Sequence, residues 1–391
     1  MANLNNKKEI QVILKSFPIT DAHCHPFNPS NEGSDDFRLD FNLYHEGTTV
    51  EMVKDTILSH KMLSELAKTL GLDEKTSAEK IIVKRNLEYK KNPGEYINML
   101  FSSVNLDTLI VDTGYPDIEF GVESVDLGDF RKLVPSKVFK VFRIEPGIFK
   151  IFNNLPDDFF EAENIIESEM EKALKVEKVV GFKSIIAYET GLDIKIESKN
   201  EVIKTYNSFK KYKNYEDEKV LRDYFVILAL KKCRENDIPM QFHTGMGSIP
   251  ILDLRKANPI VMQDFLGKDE IKNTKIVLTH AGHPYEQETG MLVSSFPNLY
   301  CDISAISSYF GVSSLKNALL KLLEMAPLSK IMFGTDGGII PETYWFGALQ
   351  GLEDIGIALD EMVKYGWISA GKAEDFAFML LNKNAEKLYK L

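Results

Sequence analysis

Short apolar runs alternate along this chain with longer stretches in which apolar residues recur at helical spacing. Eight runs predict strands: Phe17–His25, Thr108–Asp112, Val138–Ile144, Val179–Ile186, Ile238–His243, Lys275–His280, Asn298–Ile303 and Lys330–Asp336. Near-continuous apolarity is the pattern of parallel strands buried on both faces. Helical stretches separate most of them, among them Asp157–Lys175, Glu218–Glu235, Glu286–Phe296 and Leu315–Glu324, and Pro341–Leu391 reads as several helices. Eight strand–helix units without an internal repeat predict an α/β fold, a closed (β/α)8 barrel forming one domain over residues 1–391. A short amphipathic helix over residues 1–16, with Ile10, Ile13 and Leu14 on its apolar side, is expected before the first strand.

One interval is far longer than the rest. Between about Asp40 and Asn105, Met52, Ile57, Leu58, Met62, Leu63, Leu66 and Leu70 keep helical spacing up to Gly71. A second run covers Ala78 to Tyr89, and a third covers Tyr96 to Phe101 after a break at Asn92-Pro93-Gly94. This predicts a helical insertion at about 40–105, leaving from the C-terminal end of the first strand. Such a block either covers the barrel mouth or buries its apolar stripes against a second subunit. The second use is preferred, so a homo-oligomer is expected.

Composition narrows the classes. With 391 residues, 44% hydrophobic and 27% charged, the chain suits a soluble globular protein. Fifty-eight acidic against 47 basic residues give a net charge of -11, and no Lys/Arg run offers a nucleic-acid footprint. No window is long and apolar enough to span a membrane. The start, Met1 to Lys8, lacks the apolar core of a signal peptide, so a cytoplasmic location is expected. Cys24, Cys233 and Cys301 are too few and too scattered for a disulfide framework and lack Cys-x-x-Cys spacing. Any metal must therefore sit on histidine, carboxylate or lysine-derived ligands. Neither a Gly-x-Gly-x-x-Gly nor a phosphate-loop motif follows any strand, which removes nucleotide binding.

The chemistry collects at strand ends. His23 and His25, one residue apart, aim two imidazoles to one side of the first strand, a geometry that suits a divalent ion at roughly 2 Å. Lys183 lies late in the fourth strand, His243 closes the fifth, His280 the sixth and Asp336 the eighth. In a barrel those ends converge on one mouth, where active sites of this fold are built. Five of the seven histidines, His283 included, fall at or just past strand ends.

Asp21-Ala22-His23-Cys24-His25, Gln241-Phe242-His243-Thr244-Gly245, Leu278-Thr279-His280-Ala281-Gly282 and Phe333-Gly334-Thr335-Asp336 together resemble the amidohydrolase superfamily, most closely its amidohydrolase-related branch. Gly181 to Tyr188 and the helical block resemble the subgroup found alone in bacteria and fused to glutamine-synthetase-like domains in plants and fungi. The resemblance implies one divalent ion, most often zinc, held by His23, His25, His243 and Asp336. His280 would be a further ligand or contact the substrate. Such an ion lowers the pKa of bound water to about 7, with Asp336 placed to take its proton. Asp336 and His280 are thus the expected catalytic residues.

Lys183 has three readings: a cation binding a substrate carboxylate, a carboxylated lysine bridging a second metal as in some binuclear relatives, or a lysine satisfied by a buried acid. Arg143 is expected either on a substrate anion or in an ion pair with Asp112 or Glu145. Tyr188 is expected at the mouth as a substrate contact, followed by Glu189 where the branch more often has a basic residue. Asp21 and Asp302 are expected to be structural, His283 a cap or rim residue, and His45 and His60 solvent-exposed. The expected activity is hydrolysis of a carbon–nitrogen or ester bond in a small carboxylate-bearing molecule. A metal-dependent non-oxidative decarboxylase is the alternative, and a non-catalytic binding barrel the third reading.

Overall fold

The computed structural model describes residues 12–27, 35–41, 47–114, 125–248 and 251–391. Most of the expected N-terminal helix, together with His45, lies outside them. Eight parallel strands pair in chain order: β1 Ile19–Cys24, β2 Leu106–Asp112, β3 Lys137–Arg143, β4 Gly181–Ser184, β5 Met240–His243, β6 Ile276–Thr279, β7 Leu299–Asp302 and β8 Ile331–Met332. The ring is completed past the end of β8. Ala22 N donates to Phe333 O (2.9 Å), Asp336 N to His23 O (2.9 Å) and His25 N to Gly337 O (2.6 Å). The same bonds that shut the barrel therefore set the residues at its mouth.

Alternation along the strands sorts the side chains into two layers. Leu109 and Val111, Ile276 and Leu278, and Ile331 and Phe333 belong to the large core between sheet and helices. Their neighbours Ile110, Val277 and Met332 join Ala22 and Val141 in a small lumen cluster, which Leu388 and Tyr389 of the last helix, Asn384–Tyr389, plug from below. Tyr389 is fixed there by Gln241 Nε2, which donates to its hydroxyl at 2.7 Å. One end of the lumen is thus apolar and sealed, which leaves the C-terminal end for polar groups. The β1–β2 register shifts between Asp21 and Cys24, an irregularity of the kind that re-aims side chains beside active sites.

β4 and β8 fall well short of their apolar runs, for one physical reason. Ile185 N bonds to Glu145 Oε1 (2.8 Å) and Ile186 N to Ser184 Oγ (3.1 Å), so side chains take the N–H groups that would have extended β4. Past β8, Thr335 N goes to Asp21 Oδ1 (2.9 Å) and Gly337 N to Thr335 Oγ1 (2.9 Å) in the same way. Between β1 and β2 the chain is helical over Ile57–Thr69, Ala78–Lys91 and Pro93–Ser103. Thr56 caps the first of these, and Asn92 caps the third with Pro93 opening it. Among the described residues no helix is long and apolar enough to cross a membrane.

Candidate metal centre

Four imidazoles and a carboxylate meet at the mouth. His23 and His25 come from β1, His243 ends β5, His280 follows β6 and Asp336 lies beyond β8. Asp336 Oδ1 is 3.3 Å from both His23 Nε2 and His25 Nε2, and it is buried without a hydrogen-bond partner. Two ligands about 2.0–2.1 Å from a tetrahedral ion are separated by about 3.3–3.4 Å, so these atoms stand at the spacing of donors sharing one cation. His23, His280 and Asp336 each offer an atom within 4.8 Å of the others, as do His23, His25 and Asp112.

The hydrogen bonds around the rings decide which nitrogens are left to bind. His243 Nε2 lies 2.7 Å from Met246 O, a carbonyl that can only accept, so the proton is on Nε2. At the other end Ser304 donates to Asp302 Oδ1 and accepts from His280 Nδ1 at 2.9 Å, which puts the His280 proton on Nδ1. The bare nitrogens, His243 Nδ1 and His280 Nε2, then face each other at 3.1 Å. Two lone pairs at that distance repel unless a cation lies between or beside them. His25 Nδ1 likewise points to Asp112 O (3.1 Å), leaving Nε2 toward Asp336. Burial, reinforced by Lys183 and the neighbouring rings, lowers the pKa values of His23, His243 and His280 well below the usual value, so these three rings are neutral and ligand-ready. The donor set fits a divalent ion. His243 stands at its edge, joined to it through His280.

Lys183 Nζ lies 3.1 Å from His23 Nε2 and donates to Thr279 Oγ1 (3.2 Å), and no acid lies within ion-pair distance of it among the described residues. Burial brings its ammonium down to about 8. Arg143 takes the internal alternative. Its Nε and Nη2 fork onto Asp112 Oδ2 at 3.1 and 2.6 Å, and Nη1 donates to Gly114 O at 3.2 Å. Burial raises the Asp112 carboxyl, but Arg143 outweighs it and brings the pKa to about 2. Because Asp112 O holds His25, Arg143 steadies a ring of the centre through Asp112.

Tyr188 lies with its ring 4.7 Å from that of His243, and its hydroxyl accepts from Ser248 N at 3.2 Å. It packs beside the loop whose Met246 carbonyl orients His243. Glu189 turns away to Arg222 (2.9 Å), so its charge is compensated outside the mouth. Asp21 clamps Thr335 and His23 N, and Asp302 clamps His280 N and Ser304. His283 pairs with Glu286 at 2.5 Å against Phe310, at the rim, and His60 is exposed. Ser304 was not foreseen, although Asp302-x-Ser304 at a strand end was a local signal for it. Thr279, the Lys183 partner, was visible only as the neighbour of His280.

Comparison with known proteins agrees with this architecture. Protein fluG of Emericella nidulans is 29% identical over 225 residues, which are 54% of this chain and 26% of that protein, so the chain spans about a quarter of its relative's length. A Lactobacillus casei protein described as a candidate metal-dependent hydrolase has the same fold, with a TM-score of 0.81 at 24% identity over 97% of both chains. The uronate isomerase of Bacillus halodurans shares the fold at a TM-score of 0.66 and 13% identity, over 99% of this chain and 97% of that one. The family profile described as amidohydrolase matches residues 138–391, a span that carries Lys183, His243, His280 and Asp336. With more than half of its length matched, from the third strand to Leu391, the chain belongs to the amidohydrolase family, in its amidohydrolase-related branch.

Proposed function

We propose that the protein is a metal-dependent hydrolase acting on a carbon–nitrogen or ester bond of a small carboxylate-bearing molecule. The observation that carries the reading is the set of bare donors at the mouth: His25 Nε2 on the unpartnered Asp336 Oδ1, and His280 Nε2 facing His243 Nδ1 at 3.1 Å. His23, His25, His243 and Asp336, with His280 joining His243 to the others, would hold one divalent ion, zinc being what the family resemblance implies. When bound, such an ion supplies Lewis acidity toward a carbonyl and toward water.

The remaining work falls to the chain. Asp336 is the acceptor for the proton of the attacking water. His280, kept in one tautomer by Ser304 and Asp302, presents a bare Nε2 beside the ion, where it can accept a proton. Lys183, which has no acidic partner among the described residues, receives the substrate carboxylate. Tyr188 keeps the His243 loop in place.

Elemental analysis of the purified protein tests the centre, with one zinc per chain expected. His243→Ala should lose the ion while the far-ultraviolet spectrum stays the same, and undiminished retention of zinc would refute the ligand assignment. A panel of N-acyl amino acids and carboxylate esters then tests the reaction. Hydrolysis products support it, and carbon dioxide release from aromatic acids would assign a lyase instead.

A further inference from the structure

Residues Phe333 to Ile340 join β8 to the long helix Pro341–Lys364, and within them Asp336 and Ile339 both sit at φ 57°. An L-residue is disfavoured there, a β-branched one most of all, and it persists only where its surroundings over-determine it. The surroundings are three consecutive side chains of the helix's first turn. The Thr343 hydroxyl accepts from Gly338 N at 3.0 Å and lies 2.8 and 2.7 Å from the carbonyls of Gly338 and Ile340. The Tyr344 hydroxyl donates to the carbonyl of His25, and its ring lies so close to Gly337 that a Cβ there would come within 2.4 Å. Glu342, fully buried, accepts from Arg85 Nε (2.6 Å), Arg85 Nη2 (2.9 Å) and the Tyr96 hydroxyl (2.7 Å).

Arg85 and Tyr96 belong to the helices between β1 and β2, and the Arg85 guanidinium is enclosed by Phe37, Tyr89 and Tyr96. A single helical turn therefore grips three things: the helical segment, the strained loop and the backbone of His25. We propose that Glu342, Thr343 and Tyr344, anchored by Arg85 and Tyr96, are positioning residues that keep Asp336 and His25 at the spacing needed to reach one ion. The segment between β1 and β2 then serves as a brace for the metal centre. This rests on the reading of Asp336 and His25 as ligands.

The test is zinc affinity of the full chain, by competition with a chromophoric chelator, read beside the melting temperature. Thr343→Val and Glu342→Gln should each weaken zinc binding by about 10–100-fold, the usual effect of removing a group that orients a ligand. Thr343→Ser, which keeps the hydroxyl, should restore it. Asn384→Ala is the control, since it removes bonds to Leu328 O and Ile331 O at the opposite end of β8. It should lower the melting temperature without moving zinc affinity. Should Glu342→Gln fail to fold, Thr343→Val and Tyr96→Phe decide. Wild-type affinity in those variants, with affinity lost in Asp336→Ala, overturns the brace and spares the metal reading. So does a loss in Asn384→Ala proportional to its melting temperature. Wild-type affinity in Asp336→Ala overturns the metal reading itself.

Discussion

The carboxyl of Glu145 offers a quantitative test of how the β4 end is built. It is 2% exposed; Oε1 accepts from Ser184 Oγ (2.6 Å) and Ile185 N (2.8 Å), while Oε2 is buried without a partner. Burial therefore prevails over these bonds and over Arg143, and the pKa rises from 4.5 to about 7. Below pH 4.5 folded and unfolded chains both hold the proton. Between pH 4.5 and 7 the unfolded chain releases it and the folded chain keeps it, so stability falls as pH rises, and above 7 the whole penalty applies. At about 1.4 kcal/mol per pH unit the penalty is about 3 kcal/mol. Glu145→Gln keeps an oxygen for Ser184 and Ile185 but has no charge to bury. Urea unfolding of both proteins, followed by the fluorescence of buried Trp345, should show the stability difference moving in favour of the variant by about 3 kcal/mol between pH 4.5 and 8. Other groups titrate in both proteins and cancel. A difference constant to within about 1 kcal/mol across that range would show that the carboxyl is not desolvated as argued.

Two further outcomes follow from buried charge pairs. Arg85→Met strands Glu342 and should cost about 3–5 kcal/mol in urea unfolding, whereas Arg85→Met with Glu342→Leu should recover most of it; equal losses in both would contradict the pairing. Arg143→Lys keeps the charge but loses the fork onto Asp112, so zinc affinity should fall with the slackened His25; a raised KM with unchanged zinc affinity would return Arg143 to the substrate.

What was legible in the chain was whatever has a local signature. A parallel strand covered on both sides must be apolar along its length, so eight runs announced eight strands, and polar residues interrupting those runs at one end announced the mouth. The strand ends were not legible at β4 and β8. There the terminating acceptors, Glu145 and Asp21, are 40 and 314 residues away from the N–H groups they take. Long-range pairing also explains Glu189, which stands where the branch more often has a basic residue and is paired by Arg222, and Arg143, whose choice between an internal and an external anion no local pattern could make.

The same limit hid Glu342, 257 residues from Arg85. Yet the pair is what ties the segment between β1 and β2 to the first turn of the helix behind Asp336. Apolar stripes can cover a mouth or join two subunits, and neither use calls for a guanidinium sealed among three aromatic rings and forked onto a carboxylate. Isolated ion pairs of that kind add little stability over a well-packed apolar substitute, so what they contribute is geometry. Here the geometry is that of a helix start holding the strained turn behind Asp336, at the one point where a displacement of an ångström would separate the carboxylate from the imidazoles it faces.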